Sequence, residues 1–256
     1  MIITSWNIRG LNSRGKQRHL RDRLKKDKPS IMIVQETKIS IQEMEEIISR
    51  WKIQYEFMGQ VVAGSAGGLV ILWNPEEIQF RNWISYPRIL SGSFNLIGSS
   101  EWVVLSGVYG PHSPMDRKGF LQNISSIQRL YHNMPWIIGG NFNRIVSLTE
   151  KRGGLRRTDQ DMEAFREMIY EQRLVDIQTI NGIHTWNNRR GGTSQIASRL
   201  DRFLVSEQIM MNDVFIEAMI LPAIGSDLWP IKLEVDLNQS SKRRPFRFEA
   251  FWLRNH

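Results

Sequence analysis

The chain has 256 residues, of which 41% are hydrophobic and 23% charged, ordinary proportions for a globular protein with a sizeable core. It contains no cysteine, which excludes disulfides and thiolate-bound zinc, and its five histidines form no metal-binding motif, so any catalytic metal is expected on oxygen ligands. The formal net charge of +8 favours polyanionic partners such as nucleic acid.

Short apolar or β-branched segments recur along the chain and predict strands. In chain order they read MIITSW, IMIVQE, GGLVILW, WVVLSGVYG, WIIGGNF, RLDRFLV and IKLEVDL. Four intervening segments have apolar residues at helical spacing; Ser13 is the predicted N-cap of the first, and Ser40 with Glu43 forms a predicted capping box in the second. Strands that alternate with helices and then follow one another closely predict an α/β sandwich with mixed sheets.

The chain shows no targeting or membrane segment. Its start, MIITSWNIRG, is too short and too quickly polar for a signal peptide, and no apolar run approaches the length of a membrane span. We therefore expect an intracellular protein that does not enter a membrane.

Polar side chains recur where the apolar segments stop. Ligand and catalytic sites of α/β folds gather at such strand ends, so these side chains are expected to converge. Taken singly, each has an ordinary structural explanation, such as a helix cap, a turn or a core tyrosine. Together, their amide, phenol and carboxylate groups can hold a hard divalent cation and surround a phosphate. The residues are Asn7, Glu36, Tyr109, Asn141, Asn143, Asp201 and Asp227.

In this order the motifs resemble the endonuclease/exonuclease/phosphatase superfamily, and more closely the N-terminal endonuclease domain of plant LINE-type (non-LTR) retrotransposons. The motifs are SWNIRGL, QETK, GVYGP, WIIGGNFN, HTWNN, SRLDRFLVS and GSDLWPI. The resemblance implies a deoxyribonuclease I-like fold, a four-layer α/β sandwich in which two packed mixed β-sheets are flanked by helices. It assigns residues 1–238 to this domain and residues 239–256 to a basic and aromatic tail, which in such proteins leads toward a reverse transcriptase that this chain lacks.

The resemblance also implies Mg²⁺-dependent hydrolysis of DNA phosphodiester bonds, with Mn²⁺ as an alternative ion. Glu36 would be the principal metal ligand and Asn7 would help to position the metal and the phosphate. Asp227 would lie beside the phosphate and a second metal. Oxygen ligands of this kind suit magnesium.

Tyr109 would donate to the scissile phosphate, and Asn143 would orient the phosphate or the attacking water.

Two other catalytic positions implied by the resemblance depart from the family pattern. The family's GDFN reads GNFN here, so Asn141 stands where an aspartate would activate that water, and an amide cannot accept the proton. The family's SDH reads SDL, so Leu228 replaces a histidine that would contact the phosphate and be held by Asp201. We therefore expect activity to be strongly impaired or absent, since losing a general base costs roughly 10²- to 10⁴-fold in rate.

Loss of the histidine leaves Asp201 without its expected partner. A buried unpaired carboxylate is unfavourable, so we predict that Asp201 binds Arg199, Arg202 or a water, or that its pKa is raised. An Asp-to-Asn change is one that an experimenter would choose, but a His-to-Leu change is not. We therefore favour natural decay of a retrotransposon copy, or its reuse, over an engineered inactivation.

Basic residues cluster near several motifs and predict largely sequence-independent, salt-sensitive contacts with DNA phosphates. A further cluster between Arg14 and Lys28 is equally explained as a solvated helix face, and another lies at Lys242–Arg244 in the tail. Trp186 is either a core residue or a wedge against an unstacked base. The predicted DNA-contacting residues are Arg9, Lys151, Arg152, Arg156, Arg157, Trp186, Arg189 and Arg190.

Three functions are consistent with the sequence. The first is a LINE-type DNA endonuclease domain, monomeric and nuclear, with impaired activity. The second is a catalytically inactive module that binds nucleic acid or protein on the same fold. The third, a phosphatase relative acting on a small molecule, is disfavoured because the basic clusters suit a polymeric substrate.

Overall fold

The computed structural model describes residues 1–60, 67–155, 157–211, 214–223 and 227–237. The helices are α1 (Arg14–Asp27), α2 (Ile41–Trp51), α3 (Pro114–Leu130), α4 (Gln160–Glu171) and α5 (Glu207–Met210), with 3₁₀ turns at Leu148–Glu150 and Gly192–Ser194. The strands are β1 (Ile2–Asn7), β2 (Ile31–Gln35), β3 (Glu56–Gln60), β4 (Leu69–Trp73), β5 (Ile78–Tyr86), β6 (Ile89–Leu96), β7 (Val103–Tyr109), β8 (Trp136–Asn141), β9 (Lys151–Arg152), β10 (Leu174–Ile177), β11 (Trp186–Asn187), β12 (Ala197–Ser198), β13 (Asp201–Ser206), β14 (Ile216–Ile220) and β15 (Ile231–Val235). Among the described helices, none is both long and apolar enough to span a membrane.

Two six-stranded sheets carry the fold. The first has the order β14-β15-β1-β2-β4-β3 and the second the order β10-β13-β8-β7-β6-β5. Within them, β1 with β2 and β7 with β8 run parallel, whereas the other neighbours are antiparallel, so both sheets are mixed. A small third sheet has the order β11-β12-β9, and Trp186 in its strand β11 forms a β-bridge with Leu228.

The apolar residues sort into three cores that stack as four layers. The central core joins the inner faces of the two sheets, for example through Ile33, Leu105 and Phe203. A second core packs α3 and α4 against the second sheet, and a third packs α1 and α2 against the first sheet. The prediction of a four-layer α/β sandwich with two mixed sheets flanked by helices is therefore confirmed.

The glycine pair in WIIGGNF has a packing reason. A Cβ added at Gly139 would lie 2.5 Å from the ring of Phe203 and 2.9 Å from Ile33 of the facing sheet. Only glycine therefore allows the two sheets to approach at this point, which brings their strand ends together.

The seven predicted strand segments all contain strands of the structure, and the two predicted caps are confirmed. Ser13 accepts a hydrogen bond from the backbone of Lys16, and Ser40 with Glu43 forms a complete capping box. The strands that were not predicted are β3, β5, β6, β9, β10, β11, β12 and β14. In β6, small and polar residues occupy buried positions; Gly92, for example, lies under the ring of Trp83. Such residues weaken the apolar signal from which strands were predicted. The tail at 239–256 lies outside the described residues.

Candidate active site

The ends of five strands bring most of the predicted site residues together. Tyr109, Asn141 and Asp201 are register partners across β7, β8 and β13, so they form one row at the edge of the second sheet. From the facing sheet, Asn7 ends β1 opposite Gln35, and Glu36 follows directly after that residue. The expectation that the polar strand ends converge is therefore met by these five positions.

Backbone geometry holds the loops of the site in uncommon conformations. Arg9, Glu36 and Asn143 all have left-handed backbones, with φ of 52°, 57° and 52°. Such residues persist only where the surroundings fix them. Here the N–H of Gly10 donates to the carbonyl of Glu36 at 2.6 Å, and the side chain of Asn143 donates to the carbonyl of Gly110 at 2.6 Å.

Glu36 is held between a cation and a phenol. Its carboxylate forms an ion pair with Lys38 at 2.9 Å, and its side chain is only 13% exposed. Burial and the neighbouring Glu36 charge raise the pKa of Tyr109 to about 12. Tyr109 therefore stays protonated at neutral pH and can act as a hydrogen-bond donor.

Asn141 is fully buried and only half satisfied. Its Oδ1 accepts from the backbone N–H of Asn143 at 2.8 Å, and its backbone carbonyl accepts from Gly110 at 2.7 Å. Its Nδ2 has no partner in hydrogen-bonding geometry among the described residues, although it lies close enough to lower the pKa of Asp201. Gly110 is needed here because an added Cβ would lie 2.2 Å from the carbonyl oxygen of Phe142.

The carboxylate of Asp201 is hydrogen-bonded to a hydroxyl group and not to a cation. The Thr185 hydroxyl donates to its carboxylate at 2.7 Å and accepts from the backbone N–H groups of Leu200 and Asp201 at 3.0 Å. Burial raises the pKa of Asp201 to about 7, although Thr185 and Asn141 act in the opposite direction. The prediction of a raised pKa is confirmed.

The prediction that Arg199 or Arg202 could bind Asp201 is wrong. Both guanidinium groups instead bind Glu150 and Asp176, at 2.5 to 2.9 Å. Adjacent strand residues point to opposite faces of a sheet, so Arg202 cannot share the side on which Asp201 lies. Its guanidinium lies 5.4 Å from the ring centroid of Phe165, in the α4 layer.

Asp227 and Leu228 close the site from the side of the small sheet. Asp227 forms an ion pair with Arg9 at 2.8 Å and accepts from the indole N–H of Trp186 at 3.0 Å. Leu228 is buried, and its backbone bridges to Trp186. Leucine therefore occupies this position as a packed apolar residue with no side-chain donor.

Trp186 and the predicted basic residues are distributed around the row. Trp186 is half-buried, lies beside Asp227 and belongs to none of the three cores. Its position therefore does not match the alternative in which Trp186 is a core residue. Lys151 and Arg157 line a cavity of about 170 Å³ together with Asn143. The remaining predicted contacts are exposed residues: Arg152 ends the short strand β9, and Arg189 and Arg190 lie on the loop between β11 and β12, whereas Arg156 lies outside the described residues.

Three residues near the site were not singled out from the sequence. His112 lies with its Nε2 3.3 Å from the Tyr109 hydroxyl, and burial lowers the pKa of this histidine. Lys16, which the sequence grouped with a helix face, donates to the carbonyls of Ile8 and Arg9. Lys38 was visible in the QETK motif, but no pattern signalled His112, because its relation to the site depends on how the chain turns after β7.

The donor set suits a hard cation that takes most of its ligands from water and substrate. Glu36 and Asn7 present oxygen atoms at adjacent strand ends, while Asp227 is engaged by Arg9. No group of three or more potential His, Asp or Glu ligands occurs among the described residues. Oxygen donors of this kind suit a hard divalent cation, which commonly completes its coordination with water and substrate phosphate.

Comparisons with known proteins find relatives of this chain. The model of the Endonuclease/Exonuclease/phosphatase family matches residues 4–227. An exodeoxyribonuclease of Bacillus subtilis is 24% identical over 93% of this chain and all of its own length.

Solved structures share the fold at low sequence identity. The 3′ phosphatase NExo from Neisseria, an Asp-to-Asn variant bound to a product DNA hairpin, is 17% identical with a TM-score of 0.70, covering 92% of this chain and 99% of its own. The endonuclease domain of TRAS1, a telomere-specific non-LTR retrotransposon, is 15% identical with a TM-score of 0.68, covering 93% and 99%. The AP endonuclease LMAP from Leishmania major is 18% identical with a TM-score of 0.70, covering 91% and 86%.

Proposed function

Because this chain belongs to the endonuclease/exonuclease/phosphatase family, we propose that it is a DNA endonuclease domain of the LINE retrotransposon type whose hydrolytic activity is strongly impaired or absent. Members of the family are phosphodiesterases and nucleases that generally use divalent metals. The proposal includes DNA as the substrate, action as a monomer and a nuclear location.

One observation carries the proposal: the position that should accept a proton is a buried amide. Asn141 lies in the row between Tyr109 and Asp201, fully enclosed, with its oxygen already engaged by the backbone of Asn143. An amide in that place can orient a neighbour but cannot take a proton from water. Leu228, buried beside the row, adds no donor for a developing negative charge.

The remaining residues can still bind and orient a phosphodiester. Glu36 and Asn7 would hold Mg²⁺ or Mn²⁺, which when bound would polarise the phosphate and stabilise its charge. Tyr109 keeps its proton and donates to a phosphate oxygen, and Asn143 supplies an amide at the end of the neighbouring strand. Lys16 and Lys38 place positive charge at the same edge, which favours binding of the anionic strand.

Plasmid nicking tests the proposal directly. We expect the double substitution Asn141→Asp plus Leu228→His to nick supercoiled DNA in Mg²⁺ or Mn²⁺ at least about 100-fold faster than the parent, because it restores a base and a donor. The triple variant that also carries Glu36→Gln should lose this activity, which shows that the nicking arises from this site. Comparable nicking by the parent would contradict the proposal.

A second candidate is a module that only binds nucleic acid. It is favoured by the ion pairs within the site, since Glu36 is bound by Lys38 and Asp227 by Arg9. The same experiment separates the two: if neither parent nor double variant nicks, while both retain DNA in a gel-shift assay, the binding module is the better description. The NExo complex is consistent with binding, because that relative carries an Asp-to-Asn substitution and holds product DNA.

A further inference from the structure

A cavity of about 230 Å³ lies beside the candidate site, on the side of the small third sheet. It is smaller than the roughly 300 to 1,000 Å³ of pockets that enclose a whole small ligand, so its size suits one ring system of a larger molecule. Its lining combines two indoles with a few polar groups. The lining residues that matter here are Arg152, His184, Trp186 and Trp229.

Trp229 is exposed although its backbone is fixed. Its N–H donates to the carbonyl of Thr185 at 2.9 Å, and the next carbonyl, of Pro230, accepts from Leu221 at 2.7 Å. The side chain is nevertheless 40% exposed. A large aromatic side chain on a rigid backbone offers contact area to a ligand at little entropic cost.

The second indole connects this cavity to the candidate site. Trp186 lines the cavity, and its indole N–H donates to Asp227 at 3.0 Å. A group bound against Trp186 therefore lies next to the carboxylate that flanks the proposed phosphate position. A ligand that fills both places must join a flat ring to a phosphate.

The polar lining suits the edge of such a ring and its charged neighbour. His184 Nε2 has no hydrogen-bond partner among the described residues. Burial and the charge of Arg152 lower the pKa of His184, so the imidazole is neutral at neutral pH and can donate or accept. Within the described chain, no carboxylate forms an ion pair with Arg152, which leaves this exposed cation available to an anion at the mouth of the cavity.

We propose that the cavity lined by Trp186, Trp229 and His184 binds one unstacked nucleobase of the DNA strand whose phosphate occupies the candidate site. The base stacks on the indoles, its edge meets His184, and Arg152 contacts the adjoining phosphate. Proteins that bind unpaired nucleic acid use aromatic side chains in this way, because every base has a π-face. The inference rests on the proposed function, since it requires DNA at the site.

The test compares two DNA hairpins of equal length, one fully paired and one with a single bulged base, by fluorescence anisotropy at one salt concentration. We expect the parent to bind the bulged hairpin more tightly by roughly 5- to 150-fold, the range that base–aromatic stacking supplies. Trp229→Leu should abolish this preference without weakening binding to the paired hairpin. Trp229→Phe keeps a ring and should retain most of the preference, which separates stacking from a general effect on folding.

A matched control and three contrary results define the outcome. Tyr170→Leu removes an 84% exposed aromatic side chain from α4, in a different layer of the fold, and should change neither affinity. If the parent binds both hairpins equally, or if Trp229→Leu weakens both alike, the base pocket is overturned while DNA binding by the domain stands. If no hairpin binds, the pocket and the proposed function both fail.

Discussion

Two buried polar regions share strand β13 and are built in opposite ways. On one face, Arg202 and Arg199 are paired with Glu150 and Asp176, so all four charges are compensated. On the other, Asp201 accepts a hydrogen bond from the neutral Thr185 hydroxyl, and the nearby amide nitrogen of Asn141 has no hydrogen-bond partner among the described residues.

The difference separates a structural region from the candidate functional one. Burial opposes ionisation of Glu150, but hydrogen bonds and charges from Arg202, the backbone of Val146 and Arg199 outweigh it and hold the pKa of Glu150 below its usual value. Burial of Asp201 outweighs the opposing effects of Thr185, Asn141 and the more distant charges of Arg202 and Arg9, so its pKa rises to about 7. We call a cluster complete when every buried charge in it is paired, and such a cluster needs no ligand. An incomplete cluster keeps polar groups available for a ligand and weakens the fold.

The largest effect is expected from breaking the complete region. Glu150→Gln keeps the shape but leaves two buried guanidinium groups short of negative charge, so the free energy of unfolding should fall by about 3 to 5 kcal/mol. Urea denaturation at neutral pH measures this. Asp22→Asn breaks the exposed Arg21–Asp22 pair and should change stability little. Equal losses in both variants would show that the cluster stabilises the fold no more than a surface ion pair does.

The next effect concerns the incomplete region and depends on pH. Asp201 has a pKa of about 7 when folded and 3.8 as its ordinary value. Its contribution to stability is therefore fully present below pH 4 and is lost as the pH rises to about 7, a total of about 4 kcal/mol at 1.4 kcal/mol for each pKa unit. Asp201→Asn should remove this decline, so that the variant matches the parent at pH 4 and exceeds it at pH 8 in urea denaturation. Parallel pH profiles of parent and variant would contradict the raised pKa.

The smallest effect sharpens the comparison by adding a charge to the incomplete region. Asn141→Asp alone places a second carboxylate beside Asp201 with no histidine to share a proton, so ionisation of the pair is penalised. We expect a loss of roughly 1 to 3 kcal/mol in the free energy of unfolding at pH 8 and a smaller loss at pH 5, where one carboxyl stays protonated. Adding Leu228→His should recover part of this loss at pH 8. A single variant as stable as the parent at both pH values would show that the two carboxyl groups do not interact.

The sequence determined seven strand segments, four helix segments, the order of the motifs and the two departures from the family pattern. These depend on short-range information: the period of apolar residues, the caps at Ser13 and Ser40, and the identities of Asn141 and Leu228. Their positions at strand ends, together with the family resemblance, then predicted that the polar residues share one site, and strand pairing puts Tyr109, Asn141 and Asp201 in one row.

Only the tertiary structure decided which partner each buried polar group has. Arg199 and Arg202 bind Glu150, which lies 49 and 52 residues earlier in the chain, and their proximity to Asp201 in the sequence pointed to the wrong contact. No pattern in the sequence indicated that His112 contacts Tyr109. None indicated that Trp186 and Trp229 line the same cavity. A side chain's partner depends on which sheet face it occupies and on what the rest of the chain brings to that face, whereas an apolar period reports only that a face is buried.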